Sequence, residues 1–171
     1  MSLWRIPAYR DRKVDFGIRE KLMTGGLPVI IVDDDPAVCE VTSELVRSFY
    51  TWGKVFVFTD PDEALAFCQS RRTGVAIFIL DVFLGEKTCF SFLKSVQTAF
   101  PFAPQDTIVM TGNANDEVVD VCISSDITYL LEKPIRPYAL KLAVRAIVAK
   151  YSKFAKKLLL DPVLADHVTR I

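Results

Sequence analysis

Histidine is almost missing from this chain, with one in 171 residues. No C-x-x-C pair stands among its four cysteines, Cys39, Cys68, Cys89 and Cys122, and each has apolar neighbours. A Cys/His zinc site is therefore not expected, and the thiols read as buried, reduced side chains of a cytoplasmic protein. Long apolar runs are missing too. The longest, such as VAIFIL at 75–80, fall far short of the roughly 20 residues that a membrane helix needs. No signal-peptide pattern opens the chain. There is no internal repeat, no low-complexity segment and no base-reading motif. Net charge is absent as well, with 21 Lys+Arg against 21 Asp+Glu. What is present is apolar: 51% of the residues are hydrophobic, too many for general disorder. The length suits one domain with appendages.

The zero charge is an average over unlike parts. Residues 1–27 hold 6 basic and 3 acidic groups, residues 28–135 hold 7 and 16, and residues 136–171 hold 8 and 2. An acidic body lies between basic ends. That argues against nucleic acid as a partner of the body.

Within the body, short apolar runs alternate with amphipathic stretches. Val29–Val32 reads as a buried strand, and Asp35-Pro36 is an N-cap and first-turn pair that starts a helix with Val38, Val41, Leu45 and Phe49 on one face. Residues 54–58 are β-branched and aromatic, hence a strand, and Asp60-Pro61 opens a second helix through Gln69. The run at 75–80 is apolar at every position, as in a strand covered on both faces. Cys89, Leu93, Val96 and Phe100 are spaced for a third helix; strands at 107–110 and 128–131 flank a short helix at 116–123. Five strands separated by helices imply an α/β fold with a doubly wound parallel sheet and right-handed crossovers.

The last helix starts near Pro137 and runs long. Leu140, Val144, Ile147, Tyr151, Phe154 and Leu158 repeat in a 4,3,4,3,4 spacing, the seam of a coiled coil. Packing on the sheet would use roughly three or four turns, so the outer half of the seam needs another cover. A second copy of the chain, its own domain, or residues 1–27 would each serve. Lys150, Lys153, Lys156 and Lys157 read as a solvated face. Asp161-Pro162 ends the pattern. The expected divisions are an N-terminal arm at 1–27, a domain at 28–150, and a helix extension with a tail at 151–171.

Parallel strands aim their C-terminal ends at one rim, where such folds place ligands. Strand one ends in Asp33, Asp34 and Asp35, strand three in Asp81, strand four in Thr111, and strand five runs into Glu132, Lys133 and Pro134. Asp35 serves as the N-cap and is not counted in the site. Carboxylates held this close repel, and a hard divalent cation relieves them. Magnesium fits, because it accepts a few carboxylates and keeps waters that a phosphate can replace. A carboxylate nucleophile, a metal, a hydroxyl and a lysine together describe phosphoryl transfer onto an aspartate.

At these residues the chain resembles the receiver domain of two-component response regulators, the CheY-like superfamily. The likeness runs through VIIVDDDP (29–36), IFILD (77–81), IVMTG (108–112) and LLEKP (130–134), with 30 residues from Asp81 to Thr111 and 22 from Thr111 to Lys133. No single motif is specific; the four in that order at those intervals are. The resemblance implies a flavodoxin-like, receiver-type fold. It implies that Asp81 is the phosphoacceptor, and that Mg²⁺ is held by Asp33, Asp34, Asp81 and the backbone carbonyl of Phe83. Thr111 would hydrogen-bond a phosphoryl oxygen, and Lys133 would pair with Asp81 or its phosphate. The Lys133-Pro134 peptide would be cis. The donor would be a phosphohistidine on a sensor histidine kinase or phosphotransfer protein. Such a domain is no enzyme beyond its own phosphoryl transfer and hydrolysis, and its output would be protein contact or dimerisation.

Several positions depart from the family's pattern. The loop after the acceptor, usually a Pro-Gly turn ending in Asp-Gly, is LGEKTC (84–89), with Gly85 in the proline's place. Phe83 is bulky beside the bond to be hydrolysed. Leu130 stands where the switch aromatic is usual, with Tyr129 on the alternate face. Asp126-Ile127 replaces the common Gly-Ala pair. Two competing readings exist. A haloacid-dehalogenase-type phosphatase needs a second Asp where Phe83 stands, and its acidic pair comes last in the chain. A receiver-like adaptor that works without phosphate agrees with Leu130 and the altered loop, but leaves the acidic rim without a purpose.

Overall fold

The computed structural model describes residues 26–71 and 74–168. Strands β1 (Val29–Val32), β2 (Val55–Phe58) and β3 (Ile77–Asp81) are followed by a small hairpin, β4 (Phe83–Leu84) and β5 (Lys87–Thr88). Then come β6 (Thr107–Thr111) and β7 (Tyr129–Glu132). The five longer strands form one sheet in the order β2-β1-β3-β6-β7, parallel throughout. Among the described residues six α-helices accompany them: α1 (Pro36–Phe49), α2 (Pro61–Gln69), α3 (Cys89–Val96), α4 (Asp116–Ser124), α5 (Pro137–Leu160) and α6 (Pro162–Val168). The doubly wound parallel sheet and the extended last helix expected from the sequence are both present.

Alternation along the strands divides the core into two layers. Val29, Ile31, Ile77, Ile79, Ile108 and Met110 face one way and meet Val46 of α1 and Leu140, Val144 and Ile147 of α5. Ile30, Val32, Phe78, Leu80 and Val109 face the other way, under Ala64 and Cys68 of α2, Leu93 of α3 and Cys122 of α4. All four cysteines are free and buried. Burial pushes the Cys89 thiol up to about 12, so it is a core group rather than a nucleophile.

Local chemistry sets the helix ends. Asp35, Asp60 and Asn115 each accept a backbone N–H of the first turn, and proline follows the first two. Thr88 and Ser91 form a capping box at α3. That helix stops at Val96, one turn earlier than the apolar spacing suggested. Phe100 is still buried, its N–H bonded to the Val96 carbonyl, and Pro101 bars any continuation. The third strand begins two residues later than expected and ends one later, on Asp81 itself. The hairpin β4–β5 was not foreseen. Gly85 makes its turn with φ at +64°, and Lys87 pairs with Asp62 on α2.

Of the expected arm at 1–27, only Gly26 and Leu27 are among the described residues. Leu27 is fully buried, and its carbonyl accepts the Tyr50 hydroxyl at 2.6 Å. A side chain at Gly53 would meet the Leu27 carbonyl at 1.9 Å, so the chain enters the fold pressed against 52–53.

The seam of α5 is half covered. Leu140, Val144 and Ile147 are buried on the sheet, and Tyr151 packs at its margin. Beyond it Phe154 is 45% exposed, and α6 follows the end of the helix after Asp161 and contacts it. Lys150 is solvent-exposed as expected, yet it also has a partner. With the Tyr151 hydroxyl it grips Asp106, whose side chain is 1% exposed.

Candidate functional site

Asp33 is the first residue after β1, Asp34 follows it, and Asp81 ends β3. Adjacent parallel strands therefore bring the three carboxylates to one rim. One oxygen from each lies within 4.8 Å of the others. Lys133, in the loop after β7, reaches in from the far side of β6. Its ammonium donates to Asp33 Oδ2 at 2.7 Å and to Asp81 Oδ1 at 2.8 Å. The peptide from Lys133 to Pro134 is cis, and the Lys133 N–H donates to the Thr111 carbonyl at 2.7 Å.

The two inner carboxylates are tied down and Asp34 is open to solvent. Asp33 Oδ1 accepts the Asp35 N–H at 3.0 Å, and Asp81 Oδ2 accepts the Phe83 N–H at 3.2 Å. Burial pushes the Asp33 carboxyl above its ordinary range, against the pull of Lys133 and the Asp35 amide. Burial draws the Lys133 ammonium down, but its hydrogen bonds to Asp33 and Asp81 outweigh this and the net shift is upward. The lysine is thus held charged among three acids, and the four groups carry a formal charge of minus two. That matches a divalent cation.

The donor set also fits magnesium on size. At the 2.0–2.1 Å bonds it prefers, octahedral ligands lie about 3 to 4 Å apart. The three oxygens need only a small closure to reach that. All are hard carboxylate donors, and solvent reaches the cluster through Asp34.

Thr111 ends β6 on the same rim and is buried. Its hydroxyl is engaged within its own loop, donating to the Asn113 carbonyl at 3.0 Å and accepting the Asn113 N–H at 3.2 Å. Phe83 follows Asp81 in the hairpin and is 63% exposed. Asp35 caps α1 through the Ala37 N–H at 2.8 Å, as its sequence position suggested, and stays outside the carboxylate cluster. The Cys39 thiol was not foreseen here. It donates to the Asp33 carbonyl at 3.3 Å and holds the β1–α1 turn from below. Only its position on the inner face of α1 could have indicated this.

On β7, Leu130 packs with the α2–α4 layer and Tyr129 with the α1–α5 layer. The aromatic ring of this strand therefore lies beneath α5.

A family model described as response regulator receiver domain matches residues 29–145. The chain is similar to the cyclic di-GMP phosphodiesterase response regulator RpfG of Xanthomonas campestris pv. campestris, at 24% identity over 116 residues. That match takes in 68% of this chain but spans only 30% of the relative's length. Among solved structures it is similar to a CheY-like receiver domain protein of Methanospirillum hungatei, with a TM-score of 0.64 at 20% identity over 74% of this chain and 97% of that one. The chemotaxis protein CheY4 of Vibrio cholerae superposes with a TM-score of 0.61 at 25% identity, covering 71% and 98%.

Proposed function

The chain belongs to the response regulator receiver domain family, and on that premise we propose that its body at 28–150 takes a phosphoryl group from a phosphohistidine onto Asp81. In that transfer the phosphorus–nitrogen bond breaks, the imidazole keeps the electron pair, and a bond forms to an Asp81 carboxylate oxygen. The observation that carries the reading is the meeting of Asp33, Asp34 and Asp81 with Lys133, which approaches from 100 residues away along the chain.

Asp33, Asp34 and Asp81, with the Phe83 carbonyl, would hold Mg²⁺, which when bound offsets the charge of the incoming phosphoryl group. Lys133 would keep its bond to Asp81 and turn to the new phosphoryl oxygens. Thr111 would give up Asn113 and donate its hydroxyl to one of them. The donor would be a histidine kinase or a phosphotransfer protein. Catalysis would be limited to the domain's own phosphorylation and hydrolysis. Output would pass by protein contact, including pairing of two copies along the outer seam of α5. No helix among the described residues is long and apolar enough to cross a membrane, and four buried free thiols support a cytoplasmic location.

A second reading, a phosphate-independent adaptor, is favoured by the engagement of the Thr111 hydroxyl in its own loop and by Leu130 on β7. Intact mass after incubation with Mg²⁺ and acetyl phosphate separates the two. One phosphoryl adduct, absent in Asp81→Asn, is expected. No adduct, together with no binding of beryllofluoride, would select the adaptor.

A further inference from the structure

The mechanism leaves one buried, ion-paired carboxylate unused. Asp106 closes the short 3₁₀ turn Pro104–Asp106 and directly precedes β6. Both of its oxygens are taken by α5, Oδ1 by the Lys150 ammonium and Oδ2 by the Tyr151 hydroxyl. A buried carboxylate satisfied in this way resists separation, because breaking either contact leaves an unpaired polar group out of water. The two partners sit where α5 leaves the body: Ile147 is 1% exposed, while Phe154 is 45% and Leu160 84% exposed.

The opposite end of β6 is Thr111, on the acidic rim. Every residue of β6 is buried, and the strand is paired on both sides, to β3 and to β7. Close packing of this kind transmits strain along the strand. β6 therefore has the acidic rim at one end, through Thr111, and the root of the helix extension at the other, through Asp106. A second contact acts the same way, since Tyr129 and Leu131 of β7 pack in the layer beneath α5. Leu130, by contrast, offers the α4 side no aromatic ring to move.

We propose that the outer half of α5, residues 151–160, is the element that reports the state of the acidic site, and that Asp106 is the residue tying it to the sheet. This rests on the receiver reading and names its output. Loading Asp81 shifts β6, Asp106 carries the shift to Lys150 and Tyr151, and the extension changes its packing on the body and on α6. Coupling of this kind requires an element biased by both ends, and the Asp106 clamp is that element.

The test is amide hydrogen exchange of the full chain with Mg²⁺, with and without beryllofluoride, with acetyl-phosphate adduct formation followed in parallel by intact mass. In the wild type, exchange across 148–168 is expected to change roughly threefold or more on loading. In Asp106→Asn the adduct should form as before and the change at 148–168 should largely disappear. Tyr151→Phe, which keeps the ring and loses only the hydroxyl, should give a partial loss and serves if Asp106→Asn does not fold. An adduct without a change in the wild-type extension would overturn the proposal, as would an undiminished response in both variants. An absent wild-type adduct would instead bring down the receiver reading, and this output with it.

Discussion

Lys133 is the residue on which the site's charge balance turns. Its ammonium bridges Asp33 and Asp81, two of the carboxylates offered to a cation. A cation entering the cluster must compete with it for Asp33. Lys133→Met should therefore strengthen Mg²⁺ binding by roughly threefold to tenfold, about 0.7–1.4 kcal/mol, measured by calorimetric titration. The same variant should be slow to accept phosphate, because the incoming oxygens lose their counter-charge. On the proposed reading Phe83 would act on the later step. It stands two residues after Asp81 with its N–H on that carboxylate and its ring largely in solvent, where it would flank an attacking water. Phe83→Asn should shorten the phosphoryl lifetime by about threefold to tenfold, equivalent to roughly 1 kcal/mol in barrier, read as loss of the mass adduct with time. An unchanged lifetime would remove the ring from any role in protection.

At the scale of elements, the end of α4 shows how an unusual residue is accommodated. Asp126 takes φ of +58°, its N–H donates to Ile123, and the Ile127 N–H reaches back to the Cys122 carbonyl at 2.9 Å. This is a Schellman ending with aspartate in the left-handed position that glycine usually fills. The chain bears the strain because Ile127 and Cys122 are both buried in one cluster and fix the turn from inside. Asp126→Gly should stabilise the protein by about 0.5–1 kcal/mol, visible as a higher denaturant midpoint at unchanged slope. The departure from Gly-Ala noted in the sequence is thus a cost in backbone conformation and leaves the α4–β7 connection in place.

At the scale of the whole molecule, the outer α5 seam is the apolar surface left for a second copy of the chain. Tyr151 is anchored to the body, but farther along the seam Phe154 is exposed and Leu158 half-buried, with Leu159 and Leu160 exposed beside them. If two copies pair there, sedimentation should show a concentration-dependent dimer, and Phe154→Glu should return it to monomer by burying a charge in the seam. A monomer at every concentration would leave the seam to α6 or to another partner.

The order of strands and helices, their caps and the placing of acids at strand ends were legible in the sequence, because periodicity, N-caps and strand termini are local properties of the chain. The candidate site was legible for the same reason: Asp33, Asp34 and Asp81 stand at the ends of strands that any parallel sheet would align. Where the reading erred, the deciding contacts were not local. The hairpin after Asp81 leans on Asp62, 25 residues before Lys87, and Lys150, exposed as read, is also tied to the buried Asp106 44 residues away. Nothing in the neighbourhood of Asp106 marks it as buried; only the seating of α5 against the start of β6 does so. Likewise Thr111 could be assigned to the rim from its strand, but its engagement with Asn113 depends on the path of the loop. The sequence by itself determined which chemistry gathers at the rim, since strand ends carry it there. The tertiary structure alone decided how Lys133 is shared between two carboxylates and where the last helix is tied, because both depend on register and packing between segments that only folding brings together.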